Sequence, residues 1–244
     1  MYCISISQFL HAMFFYKSGH SFKKMSFKEL WIKDSKKLLS TFIVWSAIGY
    51  VLYILFSYLQ HTLTLKGATY SIVRRLFLNG QVSINDPLWF LLTLFGVRFI
   101  ANFILPERGV KYLSVKILTI VAIGYVIAYF TYRFNHRLLP YWVGNGAAGF
   151  AFFTMGYALK DHEREWWIAV PSILVYLVCS IVGFPMVDML FNKLLSGNYL
   201  LWIPVALCSI VSFNTICQFI CKYVYVRPLE IVDRMPWLSM SHIY

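Results

Sequence analysis

The sequence predicts an all-α fold, a polytopic transmembrane helix bundle of about seven spans, and two observations carry that prediction. Six long apolar stretches lie between Leu38 and Cys221, several of them without a single charge. The chain is also 59% hydrophobic, 19% aromatic and only 13% charged, with a mean hydropathy of +0.64, far from the soluble average. In hydrocarbon every backbone donor and acceptor must be satisfied within its own segment, so the apolar runs are predicted as helices. A length of 244 residues fits one membrane domain, 1–244, with short connections.

In chain order the predicted spans are Tyr2–Tyr16, Leu38–Gln60, Pro87–Leu105, Leu113–Tyr132, Leu138–Leu159, Trp166–Val187 and Tyr199–Cys221. Leu38–Gln60 is the clearest, long enough as a helix to cross a hydrocarbon core of roughly 30 Å. Tyr2–Tyr16 is short for a crossing. It has neither the basic start nor the small-residue cleavage site of a signal peptide, so it reads as a helix that has lost its beginning.

Lysine and arginine set the orientation. With Lys17–Lys37 in the cytoplasm, the outside holds Lys66, Arg74, Arg75, Arg133, Arg137 and Lys193, Arg98 sits within a span, and the rest of the 22 basic residues are cytoplasmic. That asymmetry supports seven spans and an external N-terminus. The net charge of +12 raises the question of nucleic acid. The basic residues are confined to a few loops, however, a pattern that orients helices and attracts anionic headgroups or phosphate-bearing ligands, so no nucleic-acid partner is expected.

The stretch Lys17–Lys37 is the most organised outside the apolar runs. Ser26 and Glu29 have capping-box spacing, and Phe27, Leu30, Trp31 and Leu38 share one face of the helix that follows. Lys28, Lys33, Lys36 and Lys37 decorate the remainder. A juxtamembrane helix lying on anionic lipid is one reading, and lysines turned toward a phosphate-bearing ligand is the other.

Few polar residues remain to carry chemistry. Arg98 lies about halfway along its span, with no acidic residue on that helix. Burying a lone guanidinium costs at least roughly 2.5–3.5 kcal/mol on insertion scales, so it faces the bundle interior, water or a ligand, or else snorkels. His11 and His20 are the histidines near the cytoplasmic end of the first span, while His61, His136 and His162 fall in loops. No histidine pair, and no histidine with a carboxylate, has metal-ligand spacing, so no metal is expected. Asp86 and Asp188 read as external caps, and Cys3, Cys179, Cys208, Cys217 and Cys221 as structural thiols. Gly146, Gly149 and Gly156 suit close helix packing. Trp89, Trp142, Trp166 and Trp167 suit an interfacial belt. P-loop, GxSxG, HExxH and dinucleotide signatures are missing from the sequence, which removes the common soluble-enzyme readings.

Four stretches then point to a family. Phe14-Phe15-Tyr16-Lys17-Ser18-Gly19-His20, at the cytoplasmic end of a span and followed by a basic segment, resembles the FFxxSGY element of the acyltransferase-3 family of membrane O-acyltransferases. Leu88-Trp89-Phe90-Leu91-Leu92-Thr93-Leu94-Phe95 is similar to its LWFLxxLF segment. Leu139-Pro140 followed by Phe152-Phe153-Thr154-Met155-Gly156-Tyr157 is similar to its later FxxxGY turn. Ile231–His242 is a poorer echo of its IGxNSxxIxxxH stretch. The four occur in the family's order over nearly the whole chain. His20 stands where the family has tyrosine. The family's ten spans include an opening helix with a basic residue and the catalytic histidine, and closing helices after the last echo. Against that pattern the chain is expected to be trimmed at both ends and to lack its general base.

The resemblance implies transfer of an acyl group, acetyl in the first instance, from cytoplasmic acyl-CoA to a hydroxyl of a surface glycan or lipid-linked saccharide. Acyl-CoA is then a donor substrate, with no bound cofactor. Such chemistry needs a base for the acceptor hydroxyl and donors for the thioester oxyanion. It also needs basic groups for the nucleotide phosphates. By resemblance Ser18 and Gly19 supply a hydroxyl and a close N–H at the active-site mouth; His11 and His20 are candidates for a base by their place near it, although His11 does not map onto the family's catalytic histidine, which lies on another helix. Lys23, Lys24 and Arg98 are the candidates for holding acyl-CoA, and Trp89 and Phe90 for lining a substrate channel. The implied setting is a multi-pass protein of a bacterial inner membrane, its partners the bilayer, acyl-CoA and the acceptor. Two other readings stay open. One is a transporter or channel with helices broken around Pro171, Pro185 and Pro204 and Arg98 as its substrate charge. The other is an inactive family remnant.

Overall fold

A computed structural model describes residues 2–61, 64, 67, 69–70, 88–106, 115–134, 141–160, 162, 165–189 and 193–223. Asp86, His136, Leu139-Pro140, the Ile231–His242 stretch and most of the external segment after His61 lie outside them. The elements are α1 (Tyr2–Ser21), α2 (Phe27–Asp34), a wide π-helical turn (Ser35–Leu39), α3 (Ser40–Leu59), α4 (Leu88–Ile104) and α5 (Val115–Arg133). They continue with α6 (Tyr141–Leu159), α7 (Trp166–Val182), a hairpin of β1 (Met186–Asp188) and β2 (Lys193–Ser196), and α8 (Tyr199–Tyr223).

The molecule is a helical bundle, and among the described residues three helical rods are long and apolar enough to cross a membrane: Phe27–Leu59, Val115–Arg133 and Tyr199–Ile220. Helices α4 and α7 are apolar but reach 17 residues each. The outer faces are apolar too, with Val115 81% and Ile181 87% exposed, as suits a hydrocarbon surround.

Helix α6 is the centre, packed against α1, α4, α5 and α8. Its sequence, YWVGNGAAGFAFFTMGYAL, is rich in small residues and carries Asn145 and Thr154 buried. A helix with neighbours on several sides has little lipid to face, and small side chains let those neighbours come close. The core gathers around it from Phe15, Tyr16 and Phe22 near α1, Trp89 on α4, and Phe152 and Phe153 on α6 itself.

Four differences from the sequence-based expectations have local causes. The first helix does not stop at Tyr16 but runs through Ser18-Gly19 to Ser21, because Gly19 is packed inside a helix crossing instead of capping an end. The segment from Phe27 is not a separate helix lying on the surface. It starts at the expected capping box, where Glu29 N–H donates to Ser26 Oγ and Ser26 N–H donates to the Glu29 carboxylate. It then continues without a break into α3 as a rod of 33 residues, about 50 Å at 1.5 Å per residue. Eight residues separate Asp34 from Phe42, which in a plain α-helix leaves them about 80° apart. The wide turn between them absorbs an extra residue and brings both onto the buried face.

The last two differences concern α7 and α8. Helix α7 ends at Val182, not Val187: Gly183 takes φ +109°, open to glycine alone, and the chain turns into the hairpin. The hairpin, with Val187 opposite Leu194 and Asp188 opposite Lys193, is an addition to the all-α expectation. Its Val187 and Met189 are buried, and β1 packs against α1 and α8. Helices α7 and α8 also run unbroken through Pro171 and Pro204, where only the transporter reading had helices broken.

Pro204 shows how. A proline inside a helix leaves the carbonyl four residues earlier without its N–H partner, here Leu200. The hydroxyl of Tyr125 on α5 donates to that carbonyl, and Tyr199 returns the contact by donating to Ala128 O at 3.2 Å. Tyr125→Phe is therefore expected to lower thermal stability in detergent by about 0.5–1.5 kcal/mol, the net worth of a typical hydrogen bond. An unchanged melting profile would mean that Leu200 finds another donor.

Candidate functional site

At one end of the bundle the C-termini of α1, α4 and α6 meet the beginning of the long rod. Here the basic segment after Lys17 is folded onto the membrane-type helices.

The closest approach is between α1 and α6. A Cβ built on Gly19 would lie 1.9 Å from the carbonyl oxygen of Phe153, and one on Gly156 would lie 2.0 Å from the carbonyl oxygen of Tyr16. Each helix thus offers a glycine to the other's backbone. One residue from Gly156, the hydroxyl of Tyr157 donates to Pro106 O at 3.0 Å, joining α6 to the end of α4.

Arg98 is the charge at the middle of this arrangement. Its Nε donates to Asp34 Oδ2 at 2.7 Å and its Nη2 to Asp34 Oδ1 at 3.2 Å, a two-pronged pair. Its Nη1 donates to Ser18 Oγ at 3.3 Å, and the guanidinium carbon lies 5.3 Å from the centre of the Phe22 ring. The side chains of Arg98 and Asp34 are 15% and 5% exposed, so the pair is largely desolvated. The partner missing from Arg98's own helix comes from a residue 64 positions earlier.

The connection between α1 and α2 is tied to α4 one turn further on. Asn102 grips Met25 at both backbone atoms, accepting from its N–H at 3.2 Å and donating to its carbonyl at 3.0 Å. Lys24 donates to Leu105 O at 2.8 Å, placing a cation at the C-terminus of α4, where the helix dipole favours it. Aromatic contacts of Phe27 with Phe99 and of Trp31 with Phe95 continue the seam along α4.

The residues expected from the sequence fall into two places. Ser18, Gly19, Lys24 and Arg98 come together at this end; Lys23 is exposed beside them, and His20 is half-buried in the last turn of α1. His11 lies two turns further along α1, with its ring centre 5.2 Å from that of Trp89 and 6.1 Å from that of Phe90. Trp89 is 1% exposed, so the expected channel-lining residue is core, not an open wall. Gly19 likewise meets the Phe153 carbonyl, which gives it a packing role. His162 is paired with Glu165 in the loop between α6 and α7. Among the described residues no group of histidine, cysteine or carboxylate side chains could hold a metal ion.

Sequence reasoning missed Asp34 and Asn102. Asp34 carried a signal, being an acidic residue amid Lys28, Lys33, Lys36 and Lys37, one turn after Leu30 on the apolar face. Asn102 lies one turn beyond Arg98 on the same face.

Chemically, the site has cations, a hydroxyl and a carboxylate committed to holding helices together, and exposed lysines, Lys23 and Lys28, on its rim. No protein-family model matches the chain, and no characterised protein or solved structure matches it either.

Proposed function

We propose that this chain belongs to a membrane O-acyltransferase of the acyltransferase-3 type and forms the part that receives acyl-CoA from the cytoplasm. One observation supports the reading above others. The stretches that suggested the family, Phe14–His20, Leu88–Phe95 and Phe152–Tyr157, are far apart in sequence yet pack on one another. Phe15 stacks edge-on against Phe90 at 4.8 Å, Gly19 rests on Phe153, and Gly156 rests on Tyr16. Packing of the three stretches into one unit is what a shared site built from them would require.

In this reading the basic end faces the cytoplasm. Lys23 and Lys28, both exposed there, attract the nucleotide phosphates of acyl-CoA. Arg98 is occupied by Asp34 and Ser18, so it shapes the site through α1 and α4 instead of reaching for phosphate. The reaction is attack of an acceptor hydroxyl on the thioester carbonyl. The new ester C–O bond forms, the C–S bond breaks, and the acceptor's proton passes through a base to the departing thiolate. The base is not assigned to any residue. Of the three prolines that suggested a transporter, Pro171 and Pro204 lie within unbroken helices and Pro185 lies just past the end of α7, so broken helices give that reading less support.

The test is equilibrium binding of radiolabelled acetyl-CoA to the detergent-solubilised full chain, compared with Lys23→Ala/Lys28→Ala. Saturable binding, weakened about tenfold when two charge-assisted contacts are lost, is the expected result. A monodisperse, folded protein that binds no acetyl-CoA would overturn the reading.

A further inference from the structure

We propose that the cleft between α4, α5 and α6 is a binding site for one acyl chain of a bilayer phospholipid, which enters sideways from the membrane. The inference does not rest on the acyltransferase reading and concerns a different part of the molecule from the Arg98 cluster.

The cleft has a volume of about 340 Å³, at the lower end of the range for small-molecule sites, roughly 300–1,000 Å³. It follows α4 from Leu92 to Ile104, about 18 Å at 1.5 Å per residue. Its shape is that of a narrow slot, long enough for an extended hydrocarbon chain. The space is provided by glycine: a Cβ on Gly96 would meet nothing within 4 Å, while Gly124 closes the floor against the backbone of Ala147.

The chemistry selects the occupant. No charged side chain lines the cleft, and its walls are almost wholly apolar. An apolar cavity of this kind stays dry, and an empty one forfeits dispersion contacts along its whole lining. The mouth is lateral, since Ile100, Ile104, Ile123 and Ile127 line the cleft yet keep between 40% and 54% of their surface exposed. Two of these belong to α5, which is long and apolar enough to cross a membrane. The molecules facing that mouth in a bilayer are lipid chains.

A second observation points to a chain that carries a carbonyl. Thr93 lines the cleft and is 4% exposed, and its hydroxyl has no hydrogen-bond partner among the described residues. A buried hydroxyl left unpaired in an apolar setting is costly. Thr93 stands five residues from the start of α4 at Leu88, about 8 Å along the helix. In the orientation predicted from the basic residues this is the external end of the slot, so a chain drawn in from the outer leaflet would have its ester carbonyl at the Thr93 end. The hydroxyl would donate there, with the chain running on toward Ile104.

The experiment uses the full chain in phosphatidylcholine nanodiscs, one chain per disc, containing a trace of phosphatidylcholine with a photoactivatable diazirine near the end of one acyl chain. After illumination, labelled peptides are mapped by mass spectrometry. Label concentrated on α4 and α5, and reduced at least fivefold by Gly96→Phe while α7 labelling stays constant, is the expected result. Gly96→Phe fills the slot where the structure has open space. Thr93→Val, equal in shape but without the hydroxyl, is expected to reduce the phospholipid retained after detergent washing, with both variants still eluting as monodisperse protein. Labelling of α4 and α5 no stronger than that of α7, or indifferent to Gly96→Phe, would overturn the proposal. So would loss of the label when two chains share a disc, because the cleft would then be a contact between copies.

Discussion

Gly19→Ala is expected to lower the stability of the solubilised protein by about 3 kcal/mol or more, and Gly156→Ala by a similar amount. Inserting one methyl group into a well-packed site typically costs about 1–3 kcal/mol, because neighbouring side chains can shift. Here the obstacle is backbone. The added carbon would lie 1.9 Å from Phe153 O in the first variant and 2.0 Å from Tyr16 O in the second. Neither carbonyl can move without distorting its helix, so α1 and α6 must separate by about an ångström or more, losing packing along the crossing. Gly96→Ala is the control, since its new methyl group meets nothing within 4 Å and alanine is the better helix former by about 1 kcal/mol. Thermal unfolding of the three variants in one detergent decides the matter. If Gly19→Ala melts with the unsubstituted protein, α1 and α6 do not cross at these glycines.

The same crossing shows what the sequence could and could not reveal. The apolar runs located most helices within a few residues, because a segment that must satisfy its backbone internally is written in local composition. Ser18-Gly19 read as the end of a helix, since glycine commonly terminates one. Its actual use, bringing two backbones together, depends on a residue over a hundred positions away. The rod from Phe27 was misread for a related reason. Its first turns are basic and amphipathic, which suits a surface helix, but burial of Leu30 and Asp34 against α4 carries it straight into α3. The hairpin after Gly183 was hidden by an apolar run that continued past the glycine. In the site, Arg98, Ser18, Gly19 and Lys24 were marked by type and position. Their roles as clamps were not, because each role is defined by its partner, and Asp34, Phe153 and Leu105 belong to other elements.

Asp34→Ala is expected to cost about 3–5 kcal/mol, the usual result of stripping a buried charge of its counter-ion. Arg98 would keep Ser18 and Phe22, neither of which carries a charge. Arg98→Met should also destabilise, leaving the Asp34 carboxylate buried at 5% exposure, although methionine keeps the contact with Phe22. The informative variant is the double substitution, Asp34→Leu with Arg98→Met. Replacing both charges of a buried pair with apolar groups of similar volume is often neutral or stabilising, so most of the loss should return. A double-mutant cycle by thermal unfolding measures that recovery. Additive losses would mean that the two residues do not interact as drawn. Acetyl-CoA binding by the recovered double variant then separates two uses of the pair. Stability without binding would assign the ion pair to the donor site, by fixing α2 against α4 in a geometry that apolar packing does not reproduce. Stability with undiminished binding would assign it to helix assembly alone, leaving recognition of the donor to the exposed lysines on the rim.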